Sequence, residues 1–229
     1  MNTMTRLAVV AGLALMLAWG VVGTAQARDG FYLGAGLASQ SASGDLDGEG
    51  YYINADGTKL ALVGEIGSGT GLAWRIGYGF GENFAIEALS TTTSHTANHD
   101  IHDESSNATL SALLLGVRLN LPVSDNMELF GRIGYGGYAV VYDSYGLTGG
   151  VSGSTFVVLS DTDVTFSGSG TGIGVGAELM LDQVGVELGF TSHQATLKNI
   201  SGLGSDGSLD EGLSVNITAI DVIVSYYFR

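Results

Sequence analysis

The sequence has no cysteine, a single proline and few positive charges. The absence of cysteine excludes disulfides, thiolate metal centres and thiol catalysis. Lys and Arg number 8 against 23 Asp and Glu, a net charge of −15, which argues against a phosphate-binding surface and against nucleic acid as a partner. Beyond residue 22 no long continuous apolar run occurs. Glycine, by contrast, is abundant, with 37 residues.

The N-terminus has the pattern of a secretory signal peptide. Arg6 precedes an apolar run from Leu7 to Val22, and Ala25-Gln26-Ala27 supplies small residues before a cleavage point. The alternative is a retained membrane helix, but the run is short for a span of roughly 20 residues and no cationic segment follows it. We therefore predict a cleaved signal peptide over 1–27 and one mature domain over 28–229.

The last segment of the chain alternates strictly between apolar and polar residues. One face carries Ile220, Val222, Val224, Tyr226 and Phe228, and the other carries Ala219, Asp221, Ser225 and Tyr227. A strand that is apolar outside, polar inside and aromatic at its end is typical of a transmembrane β-barrel.

Eight segments of this kind can be counted. They are Gly30 to Ser39, Gly71 to Phe80, Phe84 to Thr92, Thr109 to Leu121, Met127 to Val140, Gly170 to Leu181, Val184 to Thr191 and Thr218 to Arg229. Short turns at 81–83, 122–126 and 182–183 alternate with long connections near 40–70, 93–108, 141–169 and 192–213. The pattern predicts an all-β, eight-stranded, antiparallel up-and-down transmembrane barrel in the outer membrane of a Gram-negative bacterium, with both termini periplasmic and the long loops outside.

Two of the long connections contain further strand signals. Residues 51–54 and 59–62 flank the turn residues 55–58, and residues 155–159 precede another apolar stretch at 163–166. We expect these segments to extend the barrel beyond the membrane. A ten-stranded barrel that promotes one of them to a transmembrane hairpin is the main alternative.

Inward positions carry many glycines and a set of charged residues. The predicted interior charge network consists of Arg75, Glu87, Arg118, Glu128, Arg132, Glu178, Glu187 and Asp221. A two-residue turn at Asp182-Gln183 would place Glu178 opposite Glu187, which is unfavourable for like charges. We predict that Arg132 or Arg75 bridges the two carboxylates. A structural plug is favoured over a proton-linked or catalytic carboxylate pair.

Aromatic residues collect at the ends assigned to the periplasmic side. The predicted periplasmic girdle consists of Phe31, Phe80, Phe84, Tyr226 and Phe228.

Three weaker patterns are candidate sites, and for each we favour the ordinary loop interpretation. His95, His99 and His102 lie among acids and could hold a divalent ion. The acids Asp45, Asp47, Glu49 and Asp56 imitate a calcium loop but lack its final glutamate. Ser192-His193 could be half of a hydrolase dyad. We predict no metal, no cofactor and no catalytic residue.

Short motifs resemble the OmpA-like family of small outer-membrane barrels, which includes the opacity and OmpX-type proteins. They are Phe31-Tyr32-Leu33-Gly34-Ala35-Gly36, Arg75-Ile76-Gly77-Tyr78, Asn83-Phe84-Ala85-Ile86-Glu87 and Ser225-Tyr226-Tyr227-Phe228, before the additional Arg229. The resemblance implies a monomeric barrel that contacts outer-membrane lipid and lipopolysaccharide and is inserted by the outer-membrane assembly machinery. It also implies loops that bind an extracellular ligand, of unknown identity, in adhesion or host contact. The alternatives are a narrow porin-like conduit for small or hydrophobic solutes and, less favoured, an enzyme that modifies lipid A.

Overall fold

The computed structural model describes residues 29–46, 50–52, 60–62, 64–98, 105–143, 145–148, 157–160, 163–202 and 207–228. The predicted signal peptide lies outside these residues. Within them, no helix is both long enough and apolar enough to cross a membrane.

Eight long strands form a closed antiparallel ring. They are β1 (Gly30–Gly44), β2 (Gly69–Phe80), β3 (Phe84–Asn98), β4 (Ser105–Ser124), β5 (Met127–Tyr142), β6 (Val164–Leu181), β7 (Val184–Ser201) and β8 (Gly207–Tyr227). Each strand pairs with its neighbours in the chain, and β8 closes the ring on β1, where Leu37 pairs with Val222. This confirms the predicted eight-stranded antiparallel up-and-down barrel. Closure of the ring leaves no strand edge unpaired, as a barrel in the outer membrane requires.

The outer wall is apolar next to the short turns. Leu37, Leu72 and Leu115 are each more than 60% exposed on the outside of the ring. The five girdle residues also lie on this wall at the short-turn end. Phe31 packs against Phe228 with ring centroids 5.6 Å apart, and the Phe80 and Phe84 rings are 5.7 Å apart.

The strands continue well into the segments that the sequence pattern assigns to long connections. The physical reason is a reversal of the pattern along each strand. On β4, Leu113 and Leu115 face outward, but Leu110 and Ala108 at the far end face inward and are buried. The outward residues there are polar, so a pattern of apolar outward residues predicts strands that are shorter than those observed. Inside, this far end holds a packed apolar cluster that includes Val140, Tyr142, Val164, Phe166, Leu197 and Ile217.

Short strands lie in two of the connections. Gly50–Tyr52 pairs with Leu60–Leu62, as the sequence signal indicates. Val157–Ser160 pairs with Tyr145–Thr148 rather than with residues 163–166, of which 164–166 begin β6. Neither hairpin joins the ring, so the ten-stranded alternative is wrong.

Candidate functional site in the barrel lumen

The structure places all eight predicted interior charges inside the ring, and each is at most 8% exposed. Their position follows from strand geometry, because successive side chains alternate between the two faces of a sheet. Every one of these residues has outward apolar neighbours on its own strand. Burial in so narrow a space requires each ion to find a partner.

Three glutamates form a row across three neighbouring strands. Glu178 on β6 pairs in register with Glu187 on β7 and with Glu128 on β5. The predicted like-charge pair is therefore present and has a third member. Adjacent carboxylates repel one another, so this row depends on cations from elsewhere in the barrel.

Arg75 on β2 supplies one of those cations from across the lumen. Its Nη2 donates to Glu178 Oε1 at 2.9 Å, and its Nη1 contacts Glu187 Oε2. Its Nε donates to Ser225 Oγ at 2.8 Å, which fixes the plane of the guanidinium group. Of the two arginines proposed as the bridge, Arg75 spans both carboxylates.

Arg118 on β4 is a second bridge, which the sequence argument did not identify. Its Nη2 lies 2.6 Å from Glu178 Oε2 and 3.2 Å from Glu128 Oε1, and its Nη1 contacts Glu187. Arg132 forms ion pairs with Glu187 and with Glu87, the latter at 3.3 Å, but with no other described carboxylate. Glu187 thus contacts three arginines.

Asp221 does not join this network. It is 1% exposed, yet neither of its carboxylate oxygens has a hydrogen-bond partner among the described residues. The lumen network therefore consists of Arg75, Arg118, Arg132, Glu87, Glu128, Glu178 and Glu187.

Aromatic rings and glycines complete the packing around the lumen network. The ring of Phe130 lies 4.0 Å from the Arg118 guanidinium carbon and 4.6 Å from that of Arg132, as in cation–π contacts. A methyl group added at Gly176 would overlap this ring and the carbonyl oxygen of Leu188. The glycine at this position gives the ring its space.

We therefore expect Gly176→Ala to lower the free energy of unfolding by about 1 to 3 kcal/mol, the usual cost of overpacking. The measurement is urea unfolding in phospholipid vesicles. Gly131→Ala on β5 is a matched control, because the nearest atom to its added methyl group would be 4.0 Å away. Equal losses for the two variants would show that Phe130 is not tightly held.

Farther along the lumen the buried polar groups are amides, hydroxyls and imidazoles. Gln40 Nε2 donates to Thr91 Oγ1 at 2.6 Å, and His95 contacts Thr93 Oγ1 and the carbonyl oxygen of Gly67. His95 is thus a buried lumen residue rather than part of a solvated loop. His99 and His102 lie outside the described residues, within which no group of three potential metal ligands occurs.

The other two weak patterns do not form sites in the described structure. His193 is 1% exposed and its Nδ1 lies 2.9 Å from the hydroxyl of Tyr138, whereas Ser192 is exposed on the outer face. The pair cannot act as a dyad, and the loop interpretation is also wrong because both residues belong to β7. Asp45 Oδ2 accepts a hydrogen bond from Ser214 N at 2.7 Å, while Asp47, Glu49 and Asp56 lie outside the described residues.

A small cavity lies beside the lumen network. A cavity lined by Glu87, Arg132 and Thr191 has a volume of about 10 Å³, room for one water molecule. Above it lies the apolar cluster at the far end of the ring. The ion pairs and this cluster thus occupy successive stretches of the lumen.

Comparison with known proteins identifies the family. The model for the outer membrane protein beta-barrel domain matches residues 7–228. OprG from Pseudomonas aeruginosa is similar in structure, with 13% identity, a TM-score of 0.54, and coverage of 90% of this chain and 98% of OprG. Neisserial surface protein A has 14% identity and a TM-score of 0.51, with coverage of 87% of this chain and 98% of that protein.

The protein AlkL, studied in lipid bilayers, has 16% identity and a TM-score of 0.51, with coverage of 91% of this chain and 95% of AlkL. At such identities these likenesses show the fold alone. No match was found among curated protein sequences. The resemblance inferred from the sequence motifs is confirmed: the chain belongs to the outer membrane protein beta-barrel family, proteins of the Gram-negative outer membrane.

Proposed function

We propose that this protein is a non-conducting, non-enzymatic surface barrel whose role is contact with the outside of the cell through its extracellular connections. The observation that carries the proposal is the filled lumen. Arg75 and Arg118 cross the interior to the glutamate row, and the apolar cluster fills the end beyond it. A barrel closed twice along its axis is suited to presenting loops rather than to passing solutes.

The proposed orientation has the short turns and both termini in the periplasm and the long connections outside. The apolar outer wall and the aromatic girdle lie next to the short turns, so the long-connection half of the ring projects out of the hydrocarbon. Longer connections on the extracellular side are the rule for outer-membrane barrels. The projecting rim and the acidic connections then form the surface available to a partner, and specificity resides there.

Single-channel recording in planar bilayers tests the proposal. We expect the pure folded protein to give no steady openings, because both closures are made of packed side chains. A large barrel porin reconstituted under the same conditions is the positive control. Regular, unitary openings of the pure protein would contradict the proposal and favour the porin-like conduit.

A negative recording does not by itself establish surface contact. Binding of the folded protein to host-cell or matrix surfaces, compared with a variant in which residues 100–104 are deleted, addresses that half of the proposal, because these five residues include three acids of one connection. Loss of binding in the deletion variant without loss of folding is the expected result. Undiminished binding would show that this connection is not part of the contact surface.

A further inference from the structure

On the side of the apolar band nearer the long connections, the outward residues of the wall change from apolar to polar. Its outward residues there are mostly serines and threonines, which we call the hydroxyl belt. Examples on three strands are Ser39 and Ser41 on β1, Thr92 and Ser94 on β3, and Ser192 and Thr196 on β7, all of them exposed. The belt is continuous with the apolar wall and therefore begins where the hydrocarbon ends.

The belt is almost free of charge, although the chain is strongly acidic. Among the described side chains of the eight strands, Lys198 is the one charged residue on the outer face. The acids of these strands whose side chains are described all face the lumen. Glu65, on the short strand Glu65–Ile66 that pairs with the end of β3, is an exposed acid beside this wall. The described outer face of the eight strands therefore repels an anionic neighbour less than the net charge of −15 would suggest.

An open groove of about 900 Å³ lies within the belt, across β3, β4, β5, β6 and β7. Its polar lining includes Ser90, Ser111, Ser167, Ser169, Thr196 and Lys198. Tyr135 lies at its side toward the apolar band, and its hydroxyl donates to Ser169 Oγ at 2.6 Å. Small residues such as Gly137 and Ala139 also line the groove, and their short side chains leave a depression in the outer wall.

Lys198 owes its place in the groove to a β-bulge. Leu197 pairs with Gly168 and Asn199 pairs with Ser167, so Lys198 is the extra residue between them. The register between β7 and β8 shifts at the same point. Bulges re-aim a side chain, and this one directs the one outward cation of the described strands into the groove.

We infer that this groove seats the phosphorylated, sugar-bearing headgroup of an outer-leaflet glycolipid. Serine and threonine hydroxyls both donate and accept hydrogen bonds and so match sugar hydroxyls and phosphate oxygens. Lys198 supplies the positive charge that a phosphate requires, as a point charge on a flexible stem. The apolar wall directly below accommodates the acyl chains of the same molecule.

The membrane is the favoured source of this ligand because the groove and the lipid-facing wall are one continuous surface. A soluble phosphate would meet only the upper part of the groove and would gain nothing from the apolar wall. The inference rests on the proposed orientation, in which the belt lies in the outer leaflet.

The test uses the full folded barrel in phosphatidylethanolamine vesicles doped with bisphosphorylated lipid A, with retained lipid A counted by native mass spectrometry after extraction. We expect retention by the native protein and about fivefold weaker retention by Lys198→Gln, because an exposed ion pair makes a contribution of that size. Lys198→Arg should bind as the native protein does.

Placing a carboxylate in the belt separates the groove from the rest of the wall. Ser169→Glu puts the charge in the groove, whereas Ser41→Glu puts it on β1, outside the groove, at an equally exposed serine. Only Ser169→Glu should reduce retention. Heat-modifiable electrophoretic mobility confirms that each variant is folded.

Several results would overturn the inference. They are equal retention in the two glutamate variants, undiminished retention in Lys198→Gln, equal retention of lipid A stripped of its phosphates, and displacement of the lipid by inorganic phosphate.

Because the chain has no cysteine, the orientation is checked separately by labelling intact cells with an impermeant maleimide. Asp163→Cys, at the long-connection end, should react and Asp125→Cys, in a short turn, should not. The reverse would remove the proposed orientation, whereas correct labelling with failed retention would remove the groove alone.

Discussion

Replacing Arg118 by methionine should lower the free energy of unfolding by about 3 to 5 kcal/mol, the cost of removing one partner from a buried ion pair. Arg118 contacts all three glutamates of the row. Without it the row loses the one arginine that contacts all three of its carboxylates, while Arg75 still contacts Glu178 and Glu187 and Arg132 still contacts Glu187. Burial leaves these carboxylates without solvent to screen their repulsion.

The measurement is urea unfolding of the folded protein in phospholipid vesicles, followed by the fluorescence of Trp74 on the outer wall. The double variant Arg118→Met with Glu187→Gln should be less destabilised than the single variant, because it removes one of the repelling charges. Asp221→Asn serves as the control and should not destabilise the barrel, since no described residue bonds its carboxylate. A single variant as stable as the native protein would show that the row tolerates its own repulsion.

The sequence predicts the ring well because the outer wall follows one simple rule. Alternation places Leu33 outward and Tyr32 inward without reference to any other strand, and the same holds for Val224 and Ser225. The rule fails where the surroundings change from hydrocarbon to water. On the far half of β7, Ala195 and Leu197 face inward while Gln194 and Thr196 face outward. The amphipathic pattern is inverted there, so the sequence pattern assigns these residues to the connection 192–213.

The interior site is predictable in composition but not in connectivity. Alternation assigns Arg75, Arg118 and Arg132 to the lumen, yet it does not say which glutamate each one reaches. The pairing of Glu178 with Glu187 could be deduced because two turn residues separate their strands. The pairing of Glu178 with Glu128 could not, because β5 and β6 are joined by a long connection that leaves their register open.

In the proposed orientation, the two halves of the lumen are filled by different interactions, and each set suits its surroundings. Ion pairs serve the half surrounded by hydrocarbon, where apolar side chains are needed on the outer wall and the inner face is free to be polar. In the projecting half the outer wall must be polar, and the apolar residues needed for a hydrophobic core are placed inside. The projecting half is thus built like a soluble β-barrel joined to a membrane barrel.

We expect Phe166→Ala to lower the free energy of unfolding by about 3 to 5 kcal/mol, the usual cost of truncating a large aromatic side chain in a packed core. Phe166 is fully buried in the projecting half, with its ring edge-on to that of Tyr142 at a centroid distance of 6.0 Å.

Phe190→Ala is the matched control, because Phe190 lies on the adjacent strand β7 but is 46% exposed on the outer wall. Lipid chains can occupy the space left by its ring, so we expect less than half the loss seen for Phe166→Ala. Both variants are compared by urea unfolding in the same vesicles. If the two losses were equal, the apolar cluster would not act as a packed core, and the second closure of the lumen would lose its support.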